Sequence, residues 1–446
     1  MSPVELTDAP ADPVASDSAA TRSPVPQRTP ARSAVGPFWT LQVSHTVIDI
    51  FPVFIASLAV TLNDTLKLTP AQYAAMFAIG PIVSGLPQAF FAWATDKYDT
   101  RFCAWFGLAL GSACLCSIGF AETFWQLILL QIVGMTGTGM YHPIGAALAG
   151  QLAQRALRHG RSWGVSIFYS AGMIGGITGP IICTRMTAEW GMRSLAWLIL
   201  PSVMFAWILM RVTSTAPHRQ DGHHAIHRAL PDDERRARWR AIWILFTANI
   251  MRFVVNTGIM VLFGYWARAR FPGDGNVTSA TNLTGNLVSA LSVGMMIFGL
   301  LGGRLIRPGR ERGPMIWLSL IGAVPVGLIA FLGDRFGPWA GYAAAAASAV
   351  GFAATIPCTI SLAQRLLPAR TGLASGLMLG TSWSVACVAP WYAKFLLGGV
   401  GPDQVNTLPP WRIDAAFAGF AVLLLIAAAL TLLLPKPLLR HVAQQG

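Results

Sequence analysis

Charge is what this chain has least of. Asp, Glu, Lys and Arg make up 11% of its 446 residues, against about 25% in soluble domains. With 54% hydrophobic residues beside that deficit, a water-soluble globular architecture is excluded. Acid is scarcer than base, 19 residues against 32, for a net charge of +13. The excess does not point to nucleic acid, because the basic residues sit in short loops between apolar runs rather than on one polar face. Cysteine is rare as well. All six (Cys103, Cys114, Cys116, Cys183, Cys358 and Cys387) fall inside apolar runs, without metal-ligand spacing. They read as small apolar residues, so neither a metal site nor a disulfide is expected. No P-loop, nucleophile elbow or nucleophile–base arrangement occurs, so ATP-driven work and enzyme activity are not expected. Residues 1–36 lack the apolar segment of a signal peptide and are rich in Pro, Ala, Ser and Asp. They read as a disordered cytoplasmic tail.

What the chain does have is twelve long apolar runs, at 38–62, 71–94, 102–120, 124–150, 162–184, 195–211, 241–267, 285–306, 314–333, 338–362, 372–397 and 414–434. Each is long enough to cross a hydrocarbon core as a helix, which takes about 20 residues. In lipid only helices or closed barrels satisfy the backbone, and the ten-residue alternation of a barrel is absent. The expected fold is an all-α membrane protein, twelve transmembrane helices in two pseudo-symmetric six-helix halves. The halves run from 37 to 211 and from 241 to 435, with a basic cytoplasmic loop at 212–240 between them and a cytoplasmic tail at 436–446. With both termini inside, the cytoplasmic segments carry 23 Lys and Arg and the outer loops eight. That asymmetry sets the orientation, a multi-pass protein of a bacterial inner membrane with both termini cytoplasmic. His218, His223, His224 and His227 in the central loop read as part of a solvated linker.

A repeat supports duplication. LAQR occurs at 152–155 and 362–365, just after the fourth and tenth runs, and the same offset of 210 maps Pro180 onto Pro390. Equivalent placement in two halves is the signature of a transporter built from repeats.

Ionisable residues inside spans are costly and therefore few. Asp49 is central in the first span, and His45 precedes it by one helical turn on the same face. Together they can hold or relay a proton. His142 in GTGMYHP (137–143) is a third proton-linked candidate; it or Tyr141 could instead satisfy a carbonyl freed by Pro143. Arg252 is central in the seventh span, the one equivalent to the first, and falls near the same depth as Asp49. Its planar fork of donors suits an anion, and the alternative is an ion pair with Asp49 that ties the halves together. Asn249, Asn256, Tyr141 and Tyr169 are expected to line the same substrate site. The loop TDKYDTR supplies Asp96, Lys97 and Arg101, which with Arg155 and Arg365 are candidates for a cytoplasmic gate. In the fifth span, SIFYSAGMIGGITGP holds two GxxxG pairs, Gly172/Gly176 and Gly175/Gly179, before Pro180, a pattern for tight packing and a kink.

These residues resemble the major facilitator superfamily in the twelve spans, the basic central loop and TDKYDTR, with Ala92 and Asp99 standing where that superfamily's loop motif has Gly. GxxxGP (Gly175, Gly179, Pro180) resembles the core of an antiporter motif, without the glycine pair that follows the proline there. A closer resemblance is to the fosmidomycin resistance protein family, through SHTVID (44–49), GTGMYHP, SIFYSAGMIGGITGP (166–180) and AQRLLPARTGLASGLMLG (363–380). His45, Asp49, His142 and Pro143 match it residue by residue. Ile48 stands where Asn often precedes the Asp, and Arg252 rests on the residue reading alone. The resemblance implies proton-driven export of a small compound, an anion being the class Arg252 favours. The partners expected are that compound, protons and the bilayer, with a monomeric chain, no nucleic acid and no cofactor beyond the proton gradient. Uptake symport of an organic anion on the same fold is the alternative reading. A transport-inactive receptor or assembly protein is the second.

Overall fold

The computed structural model describes residues 32–95, 98–157, 160–214 and 231–445. These residues form long helices and connecting turns, with no strand among them. The first helix, α1 (Arg32–Ile50), breaks at Phe51–Val53 and continues as Phe54–Ser57 and Ala59–Leu66. Pro52 explains the break, since it has no N–H for the i−4 carbonyl; Phe54 N–H bonds the carbonyl of Phe51 instead, at 3.1 Å. Then follow α2 (Pro70–Thr95), α3 (Phe102–Cys116), α4 (Phe124–Ala156), α5 (Gly160–Trp190) and α6 (Ile199–Ser214). Thr123 and Gln126 start α4 with a reciprocal capping box.

The second half holds α7 (Asp232–Arg270), α8 (Val277–Leu305), α9 (Arg312–Phe336) and α10, built of Pro338–Ser348 and Ile356–Leu366. It continues with α11, the segments from Thr371–Gly376 to Ala389–Leu396, and α12 (Trp411–Leu432). A short helix, α13 (Lys436–Gln445), closes the described chain. Among the described residues, ten helical stretches are long and apolar enough to cross a membrane. The helices α2 and α4 stand where the second and fourth spans were read, and they are 26 and 33 residues long.

Several boundaries differ from the reading by sequence: α4 and α5 extend past their apolar runs, to Ala156 and Trp190, and α8 starts before its own, at Val277. Helix α1 begins within the segment read as tail, and α7 begins nine residues before its apolar run, with Asp232, Asp233 and Glu234 in its first turn. Acids there meet the positive end of the helix dipole. The tail at 436–446 contains α13, whose Leu439 and Val442 are buried against Leu362, Ala363 and Leu366 of α10. Most of the central loop, with its four histidines, and residues 1–31 lie outside the described residues.

Both halves contribute to packing where the repeat placed them. Leu152 and Ala153 are buried in one half and Leu362 and Ala363 in the other. The six cysteines are free thiols. Between the halves, α5 packs on α8 and α2 on α11. The Ser289 hydroxyl donates to the Ile177 carbonyl at 2.9 Å, and Trp383 Nε1 to the Ser84 hydroxyl at 3.2 Å. At the end of the bundle opposite the termini the halves are tied by polar contacts. Thr61 and Thr281 hydroxyls lie 2.7 Å apart, and Asn63 donates to Asp403 at 2.6 Å while Arg268 holds the other oxygen of Asp403 at 3.2 Å.

Candidate functional site

Three helices converge on Asp49, and small residues let them do so. In α4 the motif GTGMYHP spreads over three faces. A Cβ on Gly137 would sit 2.7 Å from Gly111 N of α3, one on Gly139 would sit 2.8 Å from Ser84 O of α2, and His142 is left facing α1. In α5 a Cβ on Gly172 would lie 2.4 Å from Asp49 Oδ2. Gly175 and Gly179 likewise press on the α1 backbone, at Thr46 O and Ile50 O. Gly176 faces α8 instead, with Ser292 Oγ at 3.5 Å. The two GxxxG pairs are therefore not equivalent: 172, 175 and 179 form one close-packed stripe against α1.

The site they build is a triad. His142 Nε2 lies 3.0 Å from Asp49 Oδ1, and His45 Nε2 lies 3.3 Å from Asp49 Oδ2. The first is a hydrogen bond; the second is close but not aligned as one, and His45 Nε2 makes no other. Each ring is held by its other nitrogen, which donates to a backbone carbonyl: His45 Nδ1 to Phe168 at 2.6 Å and His142 Nδ1 to Thr138 at 2.7 Å. The His45 ring also stacks on Phe168, centroids 3.8 Å apart and nearly parallel. His45 is buried, whereas the side chains of Asp49 and His142 keep 15% and 30% exposure. The carboxylate is thus reached past His142. The three ligand-type atoms lie within 4.8 Å of one another, so the set is compact enough for a shared cation.

Pro143 lacks the N–H that would bond Gly139 O, but neither candidate for that freed carbonyl uses it. His142 takes Thr138, and the Tyr141 hydroxyl pairs with Ser44 at 2.6 Å and donates to Leu41 O at 3.3 Å. Tyr141 is fully buried, so it supports α1 rather than facing a substrate. Tyr169 lies between the halves, its ring 3.3 Å from the Cβ position of Gly299 on α8.

The Arg252 guanidinium does not meet Asp49. Its Nε and Nη2 donate to Ser319 Oγ of α9 at 3.2 and 3.1 Å, and Nη2 also to Thr431 Oγ1 of α12 at 3.1 Å. The cause is directional. Helical side chains lean toward the helix N-terminus, which in α7 is the end carrying the chain termini. Thr431 is one residue from the C-terminal end of α12. The guanidinium therefore points away from Asp49 into its own half, and the Asp49–Arg252 pair does not form in this structure. The donors Nε and Nη2 are engaged within the second half and are not turned toward the site around Asp49. Arg252→Met is accordingly expected to leave the KM for an exported anion within about twofold of wild type. A tenfold rise in a flux assay would put Arg252 back in the route.

Asn249 and Asn256 are buried on α7. Asn249 donates to Met378 O at 2.5 Å, within a π-helical turn, Leu377–Thr381 of α11. Such turns break the regular ladder and cluster at functional sites. Trp383 follows it, edge-on to Phe253 at 5.5 Å. Neither the π turn nor the Trp383–Ser84 bridge was read from the sequence; the run of small residues around Gly376 and Gly380 was the available signal. Of the gate candidates, Asp96 and Lys97 lie outside the described residues. Arg101 is chelated by Asp99, with Nη2 to Oδ2 at 2.7 Å, and donates to Ser214 O at 3.1 Å. Arg155 is exposed at the end of α4, whereas Arg365 pairs with Glu311.

Comparisons with known proteins agree with this architecture. The fosmidomycin resistance protein of Escherichia coli (strain K12) is 24% identical over 80% of this chain and 85% of its own. A multidrug resistance protein MdtG of Rahnella sp. (strain Y9602) is 22% identical over 66% and 70%. Among solved structures, a bacterial homologue of the human lysosomal transporter Spinster, inward-facing and unoccupied, superposes with a TM-score of 0.64 at 16% identity. It covers 93% of this chain and 99% of its own. A mutant of a peptide transporter POT, in complex with sulfate, gives 0.68 at 14%, covering 93% and 97%. The profile of the Major Facilitator Superfamily matches residues 45–390, and the chain belongs to that family, as a membrane transporter of small molecules.

Proposed function

We propose that this protein is a proton-coupled exporter, working by alternating access between its two halves in a bacterial inner membrane, with both termini cytoplasmic. The observation that carries the reading is Asp49, a carboxylate inside the bundle flanked at 3.0 and 3.3 Å by two histidines. Such a group is expensive in a membrane unless it faces a cavity or a partner, and groups of this kind mark ion pathways and proton relays. Protons suit a carboxylate with two imidazoles better than any organic substrate does. Tyr169, which lies between the halves, is the residue proposed to contact the compound; Asn249 and Asn256 are as buried as Tyr141 and serve the packing of α7. The names of the relatives suggest fosmidomycin or a compound like it. The Lys and Arg distribution favours termini inside, and the polar ties at the opposite end then close the outer side.

In the cycle we propose, substrate enters from the cytoplasm, the outer ties part, and protons arriving from outside at Asp49 reset the site. Coupling requires protons and substrate to favour different conformations. The first experiment is growth of a fosmidomycin-sensitive bacterium expressing the chain, in graded drug, beside Asp49→Asn at equal membrane expression. Protection by wild type and not by the variant supports proton-coupled export. Protection by neither, with both in the membrane, withdraws this substrate. Alternating access has its own test. Oxidising a Thr61→Cys, Thr281→Cys pair is expected to stop transport, and reduction to restore it. Full transport by the cross-linked protein would mean that these outer ends need not part.

A further inference from the structure

The hydrogen bonds of the two histidines decide how many protons the site can hold. His45 Nδ1 contacts Phe168 O and His142 Nδ1 contacts Thr138 O. A carbonyl oxygen only accepts, so each Nδ1 carries its N–H as long as these contacts persist. In a neutral imidazole the Nε2 is then a bare lone pair. Both lone pairs face the carboxylate of Asp49, acceptor against acceptor. Each contact turns attractive only when it gains a proton of its own. Asp49 offers a separate oxygen to each ring, Oδ1 to His142 and Oδ2 to His45, so the two protons need not compete for one atom. His45 is 4% exposed, and its Nε2 has no aligned hydrogen bond, which marks an open place for a donor hydrogen.

The titratable groups facing the triad are Tyr141 from α4, engaged with Ser44, and Tyr169 from α5. Among the described residues no further acid or base lies within electrostatic reach of the three.

We propose that the triad is a two-proton site, one proton between Asp49 Oδ1 and His142 Nε2 and the second between Asp49 Oδ2 and His45 Nε2. The inference rests on the proton-coupled reading and adds a stoichiometry to it. Two protons leave the loaded triad with one net positive charge; losing both restores the repulsion between lone pairs and carboxylate. Release of both would therefore favour separation of α1 from α4, linking the site to the movement of its own half.

The test uses full-length protein in lipid nanodiscs with 15N-labelled histidine. Ring-nitrogen NMR is followed through a pH titration, with His45→Gln and His142→Gln to assign the two rings. Wild type further carrying 13C at phenylalanine carbonyls identifies His45 through its bond to Phe168, without any substitution. Expected are Nδ1–H tautomers for both rings in base and doubly protonated rings in acid. Proton uptake per chain, measured potentiometrically, should fall by one for each variant. An Nε2–H tautomer at either ring in base, or a variant that takes up as many protons as wild type, overturns the proposal. One titrating ring beside intact pH-driven transport would sink the two-proton site and leave the coupling reading standing. No titration of either ring and no pH-driven transport would sink both.

Discussion

Replacing Asp49 with Asn is expected to collapse pH-driven accumulation of the substrate to unity while leaving exchange across a membrane without a gradient within about threefold of wild type. A gradient of one pH unit is worth about 1.4 kcal/mol per proton, so each proton carried sustains roughly a tenfold substrate gradient. The substitution removes that drive without dismantling the site. An asparagine amide occupies the volume of the carboxylate and donates from its nitrogen, so it can satisfy a bare Nε2, His142 being the nearer at 3.0 Å. What it cannot do is gain or lose a proton. Reconstituted vesicles with an imposed pH step give the measurement, with fosmidomycin as the probe. Undiminished accumulation by Asp49→Asn would end the proposed role of this residue. Loss of exchange together with accumulation would mean that the residue holds the fold or the substrate instead.

The parts of this molecule that the sequence revealed are those governed by period and composition. Twelve apolar runs, the LAQR repeat and the spacing of His45 from Asp49 all follow from helical geometry. His142 was legible as a candidate because an ionisable group inside a span is costly to keep. The sequence could not show what the other nitrogen of each ring would bond, since the Phe168 carbonyl is 123 residues from His45. Where the Arg252 guanidinium lands is not legible in the sequence, for a definite reason. Counting from the middle of an apolar run sets the depth of a Cα, whereas a long side chain lands a further distance toward the N-terminus of its helix. The partners it found there, Ser319 and Thr431, are ordinary small hydroxyls that no motif singles out. The π turn in α11 leaves no change of period large enough to read over five residues.

Gly172→Ala is expected to lower gradient-driven transport at least about tenfold, and it separates function from packing because three neighbouring glycines act as its controls. One methyl at 172 would stand 2.4 Å from Asp49 Oδ2 and 2.6 Å from His45 Cε1. No real Cβ tolerates such distances, and the atoms it meets belong to the proposed proton site. Side chains can turn, so the helix pair survives with the triad displaced. At Gly175 and Gly179 the same methyl meets the backbone at Thr46 O and Ile50 O, at 2.2 and 2.4 Å. Backbone cannot turn aside, and overpacking of this kind costs about 1–3 kcal/mol or more. Those two variants should lose thermal stability in detergent as well as transport. Gly176→Ala meets only Ser292 Oγ, at 3.5 Å, an ordinary contact, and should behave as wild type in both assays. Thermal unfolding beside vesicle flux for the four variants reads the pattern. Stability lost equally at 172 and 175 would make the stripe a packing device with no special tie to Asp49. A defect at 176 as large as that at 172 would mean that the contact with α8, rather than the triad, limits transport.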